Sequence, residues 1–326
     1  MTALRDALEA HQIPIYFAAV TTAAAVGMLV PGATILEAGI NPSLAVMLFA
    51  TFLPVPLADI GRAVARLRFL AALLATNFVL VPTLVLGLVQ FLPGDPMIRL
   101  GVLLVLLAPC IDYVVTFSHV GRADARLLLA ATPALLLVQV LLLPLYLRLI
   151  LGDDAARLVR FEPFLHAFVW LIAAPLALAA MVQAAAQRSG ALAWVSSLLG
   201  LLPVPATAAV LFVVVAAVTP QLGLGLEGAL MAVPLYVAYA VAAPLLGWAA
   251  ARAAGLDGPA GRAVAFSAGT RNSLVVLPLA FAVPNAVPVL PAIIVAQTMV
   301  ELVASLAYMR LIPKLQAPPR KAEARG

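Results

Sequence analysis

Ten apolar runs dominate the chain, at 13–30, 42–58, 69–91, 97–119, 127–147, 163–183, 196–219, 229–250, 260–283 and 286–309, parted by short polar or Pro/Gly stretches. A helix that crosses a bilayer needs about 20 such residues. Each run is long enough, the first two barely. In hydrocarbon every backbone N–H and C=O must be satisfied inside the protein, and the runs therefore predict membrane-spanning helices. Composition agrees. The chain is 65% hydrophobic and 10% charged, where a soluble domain carries about 25% charged residues. The first run follows a leader that is not basic overall, with no cleavage-like site behind it, and reads as a helix rather than a signal peptide.

The lone cysteine excludes an internal disulfide and a Cys-rich metal cluster. A net charge of +5 raises the question of nucleic acid, but the basic residues form no patch. Their placement follows membrane orientation instead. Of 19 Lys and Arg, all but Arg99, Arg148, Arg157, Arg160 and Arg271 fall in segments on the side of both termini. That side is the cytoplasm by the positive-inside rule. Residues 314–326 read as a short basic cytosolic tail.

Two runs are interrupted. The fourth contains Pro109-Cys110-Ile111-Asp112, and the ninth contains Gly269-Thr270-Arg271-Asn272-Ser273. Proline removes a backbone donor and clashes with the preceding turn. A carboxylate at membrane depth costs roughly 2.5–3.5 kcal/mol on insertion scales. The runs start at 97 and 260, half the chain apart, and each half holds an odd number of spans. The second half (157–313) is then inverted relative to the first (1–156). Interrupted spans at matching places in inverted halves point to the binding site of a secondary transporter.

The expected site is built from these breaks. Cys110 and Asp112 fall at the N-terminus of a half-helix, where negative charge is favoured. Asn272 and Ser273 are N-cap types for the other half-helix. Arg271 is expected to pair with Asp112, with a purely structural pair as the lesser alternative. In the last span Gln297, Thr298, Glu301 and Ser305 share one helical face. Asn77, Gln139 and Thr270 are further candidates to line the cavity. A cysteine in such a helix is ordinarily a small packing residue, whereas an intramembrane glutamate reads as functional by default. No nucleophile–base constellation suggests an enzyme.

With these motifs the chain resembles the bile acid:sodium symporter superfamily, most of all its arsenical-resistance (arsenite efflux) permeases. The resemblance implies an all-α fold of ten spans in two inverted repeats, broken helices four and nine crossing, with panel and core domains. It implies that Cys110 and Glu301 match the required cysteine and glutamate of that branch. The implied activity is arsenite or antimonite export in exchange for protons across an inner membrane. Cys110 would be the arsenic ligand, Glu301 the proton carrier, and no cofactor is called for. The alternative is a carrier of a small organic anion held by Arg271 and the half-helix N-termini. Two departures stand out. Pro109 replaces the arginine common before the cysteine. Ser267 and Arg271 stand where the sodium-coupled branch has glutamate and glutamine, so sodium coupling is not implied.

Overall fold

The computed structural model describes residues 2–53, 66–111, 113–156, 166, 169–281, 283 and 289–315. Every regular element among them is helical. In chain order these are α1 (Thr2–Leu29), α2 (Ile40–Phe52), α3 (Leu67–Ala75), α4 (Val81–Val89), α5 (Pro96–Leu106), α6 (Tyr113–Val120) and α7 (Ala125–Ala156). The second half contributes α8 (Ala174–Ala186), α9 (Gly190–Leu199), α10 (Pro203–Val218), α11 (Leu222–Ala253), α12 (Gly258–Gly269), α13 (Ser273–Phe281) and α14 (Val289–Leu311). Among the described residues, six helical stretches are long and apolar enough to cross a membrane, or seven if α7 is one span despite a 47° bend. That bend falls at Val140, whose carbonyl lies four residues before Pro144 and so loses its helical partner.

Prolines explain most of the remaining irregularity. Between α3 and α4 the helix widens into a π turn, Thr76–Leu80, because Pro82 cannot donate to the carbonyl of Phe78. The hydroxyl of Tyr146 on α7 donates to that carbonyl instead. Asn77 lies in the widened turn and is buried. The seventh span is corrected from 196–219: α9 ends at Leu199, and a new helix starts at Pro203 and runs apolar to Gln221. Proline is at home in a first helical turn, where its missing N–H costs nothing. The chain stays helical through Lys314, the first residue of the expected tail. Residues 316–326, Asp112 and the first part of the sixth run lie outside the described residues.

Two packing groups emerge. In one, α10 packs on α1 and α2, and α8 packs on α2 and α9. In the other, α11 lies against α12 and α14, while α14 also packs on α5 and α13. The groups meet where α14 touches α10 and α13 touches α2. The second group encloses α5, whose residues from Leu100 to Leu106 are all buried. A helix apolar on every side belongs inside. By contrast α9 buries none of its residues and presents its apolar side chains outward.

Candidate functional site

Both broken helices are started by the same device. Asp95 caps α5 by accepting from Met97 N at 2.8 Å and Ile98 N at 3.1 Å, with Pro96 next. Asp257 caps α12 by accepting from Ala260 N at 2.9 Å, with Pro259 in its first turn. Each helix then stops inside the protein, α5 at Leu106 and α12 at Gly269. A chain that leaves helical geometry in an apolar interior must find partners for its freed backbone groups.

The two breaks supply each other. Pro109 and Arg271 form an antiparallel bridge. Cys110 N donates to Thr270 O at 3.2 Å, and Asn272 N donates to Ala108 O at 2.8 Å. The extended segments therefore cross at Cys110, which is fully buried and not in a disulfide. Beyond the break, Asn272 Oδ1 accepts from Val275 N at 3.4 Å and caps α13. The packing of α11 and α14 against the end of α12 requires Gly269. A Cβ there would meet the ring of Tyr308 at 2.9 Å and Pro244 at 2.7 Å.

Arg271 is fully buried. Its Nη2 donates to Asn77 Oδ1 at 2.8 Å, to Ser267 O at 2.5 Å and to Ala268 O at 2.9 Å. Nη1 reaches Leu106 O at 3.5 Å, and the guanidinium lies 5.7 Å from the ring centre of Tyr239. The cation thus sits against the carbonyl ends of both α5 and α12. That is where helix dipoles favour positive charge. Asn77 Nδ2 adds a bond to Ser267 Oγ at 3.0 Å, and Tyr239 OH donates to Ala268 O at 2.6 Å.

Glu301 faces the crossing from α14. Its carboxylate accepts from Tyr113 OH at 2.7 Å, from the backbone N–H of Arg271 at 2.7 Å and from Gln297 Nε2 at 2.5 Å. One carboxylate is therefore bonded to the first residue of α6 and to the second break at once. One turn away, Thr298 Oγ1 donates to Ser273 Oγ at 2.8 Å and ties α14 to α13. Several buried polar atoms in this region have no partner among the described residues: Arg271 Nε, Asn272 Nδ2, Gln297 Oε1 and Ser305 Oγ. Orphans of this kind are rare in folded proteins, and each calls for an explanation.

The structure accordingly gathers Asn77, Cys110, Thr270, Arg271, Asn272, Ser273, Gln297, Thr298 and Glu301 around one crossing. Thr270 takes part through its carbonyl, while its hydroxyl bonds back to Phe266 O at 2.8 Å. Gln139 is buried on α7, with Oε1 unpartnered and no bond into the cluster among the described residues. Asp112 lies outside the described residues. Tyr113 and Tyr239 were not foreseen as site residues. A tyrosine in an apolar run carries no signal that separates a core position from a polar contact.

A membrane protein whose polar centre is the crossing of two broken helices has the architecture of a secondary transporter. Residues 41–227, more than half of the chain, match the sodium bile acid symporter family. The chain belongs to that family, and its function is membrane transport. The matched range takes in the first break and ends before the second. No curated protein matches the chain.

Proposed function

We propose that the chain is a ten-span carrier of two inverted halves, 1–156 and 157–313, that exports arsenite or antimonite in exchange for protons. The panel domain would be α1, α2, α8 and α10, and the core domain the helices around the crossing. Both termini would lie in the cytoplasm. The observation that carries this reading is Cys110 paired to Thr270 across the two breaks, with Glu301 bonded on either side of them. As(III) is soft and binds a thiolate. A single sulfur ligand lets go, whereas a cage of several would hold the metalloid and stop turnover. Glu301 accepts three hydrogen bonds as a carboxylate and can accept fewer once protonated. Taking up a proton therefore loosens the contact between α14, α6 and the second break, which ties proton loading to the shape of the site.

Arg271 supports an exchange with protons rather than sodium. Its Nη2 carries two hydrogens but has three oxygens within 2.9 Å. The guanidinium fills that oxygen cluster as a tethered cation and leaves no place there for a free one. The same engagement weighs against the organic-anion alternative, because Nη1 and Nη2 already face protein oxygens. The orphaned atoms are also mixed: donors on Arg271 and Asn272, an acceptor on Gln297 and both on Ser305. A neutral trihydroxy acid both donates and accepts, whereas a carboxylate only accepts.

Everted membrane vesicles test the reading. Arsenite and antimonite should accumulate when a pH gradient is imposed and do so equally in sodium or choline buffer. Accumulation of a small carboxylate instead, with arsenite excluded, rejects it.

A further inference from the structure

On the face of α11 and α14 turned away from the crossing, an apolar groove of about 440 Å³ opens to the outside. Its walls are Val237, Val241 and Leu245 on α11 and Val303, Ala307 and Leu311 on α14, all exposed. From Val300 to Leu311 the groove follows α14 for roughly 16 Å. That is about half of a ~30 Å hydrocarbon core, the depth of one leaflet and the reach of one acyl chain.

The end of the groove is basic. Arg252 stands seven residues beyond Leu245, Arg310 seven beyond Val303 and Lys314 seven beyond Ala307. Seven residues are nearly two turns, so Arg252 and Arg310 continue the helical faces of the wall residues before them, while Lys314 closes the 3-10 turn that follows α14. All three are exposed, and no ion pair among the described residues engages them. We infer that this groove is a binding site for an anionic phospholipid, acyl chain between α11 and α14, phosphate on Arg252, Arg310 and Lys314. The Lys/Arg distribution puts this end in the cytoplasmic leaflet, where anionic headgroups attract basic side chains.

The site backs onto the transport machinery. Its floor is Tyr308, whose hydroxyl donates at 2.6 Å to Ala240 O, the carbonyl orphaned by Pro244. The Tyr308 ring packs edge-on against Phe266, 6.3 Å between centres, and against Gly269. Gly269 is the last residue of α12 before the break that holds Arg271. A chain seated in the groove holds Tyr308, and through it the end of α12, in place. Bound lipid therefore stabilises the crossing itself.

The full-length protein, delipidated in neutral detergent, can be given phosphatidylglycerol or phosphatidylcholine and followed by native mass spectrometry and thermal unfolding. Phosphatidylglycerol should be retained preferentially and raise the unfolding temperature more. Removing the charges with Arg252→Gln, Arg310→Gln and Lys314→Gln should weaken retention about five-fold per side chain, on the order of a hundred-fold together. Ala307→Trp keeps the charges but fills the groove and should abolish the difference between the lipids. The inference fails if the triple variant keeps its preference, or if free glycerol phosphate protects as well as the lipid. It fails too if Ala307→Trp changes oligomeric mass but not lipid retention, which would assign the groove to a second copy. None of these readouts depends on the transported solute.

Discussion

The backbone N–H of Arg271 donates to Oε2 of Glu301 at 2.7 Å, while the side chain of the same arginine turns the other way, to Asn77 and the end of α12. One residue thus joins two functions in the proposed cycle. Its main chain senses the carboxylate of α14, and its guanidinium neutralises two half-helix ends. A change in the charge of Glu301 reaches the crossing through a single peptide unit.

Glu301→Gln tests that link. A carboxamide has one acceptor oxygen where the carboxylate has two, so one of the bonds from Tyr113 or Arg271 is lost or reversed. The cost is about 1–2 kcal/mol, small enough for the protein to fold and insert. Everted vesicles carrying the variant should bind arsenite but not accumulate it in response to a pH gradient. Undiminished accumulation would move the coupling proton to another group, with Asp112 next in line.

Cys110→Ser removes the sulfur and changes little else. The backbone bond to Thr270 remains, and serine is no larger than cysteine. Membrane expression should match the wild type, and arsenite resistance of the host cells should disappear. Cells as resistant as those with the native protein would end the thiolate role and favour the organic anion.

Arg271→Gln and Asn77→Leu examine the tethered cation. Asn77→Leu takes one oxygen from the buried guanidinium, worth about 1.5–3 kcal/mol for a bond to a charged group, seen as a lower unfolding temperature. Arg271→Gln leaves the carbonyls of Ser267 and Ala268 facing an oxygen-lined space without its cation. Sodium should then stabilise Arg271→Gln more than choline does, and leave the wild type unaffected. A wild-type protein stabilised by sodium contradicts the assignment.

Gly247→Ala probes the packing behind the site. A Cβ at 247 would lie 2.7 Å from Ala268 Cβ and 2.9 Å from Val264 O, on backbone-bound atoms that cannot step aside. Forcing α11 away from α12 should cost about 1–3 kcal/mol and lower the unfolding temperature. The same substitution at Gly87, where nothing lies within 4 Å, should leave it unchanged or raise it slightly. Equal effects at both positions would mean that the close approach of α11 and α12 is not present in the folded protein.

Much of this was legible in the residues. Lipid allows backbone polar groups no partner outside the protein, so apolar run length alone gave membrane helices. Proline at 109 and the Gly-Thr-Arg-Asn-Ser cluster marked the two breaks because they are poor in helix and rich in groups that need partners. The i, i+4 spacing put Gln297, Glu301 and Ser305 on one face before any fold was known.

Other features were decided only in three dimensions. That Cys110 pairs with Thr270, and Asn272 with Ala108, depends on backbone groups every residue carries, so no side chain announces it. The π turn that carries Asn77 follows from Pro82, but the Arg271 that Asn77 bonds lies 194 positions away. The roles of Tyr113 and Tyr239 follow from which helices meet, not from their neighbours in sequence. Sequence determines where a helix must break, because that is local sterics and hydrogen bonding. Only packing decides what the broken ends meet, because a freed N–H or carbonyl accepts whichever partner the fold brings within 3 Å or so.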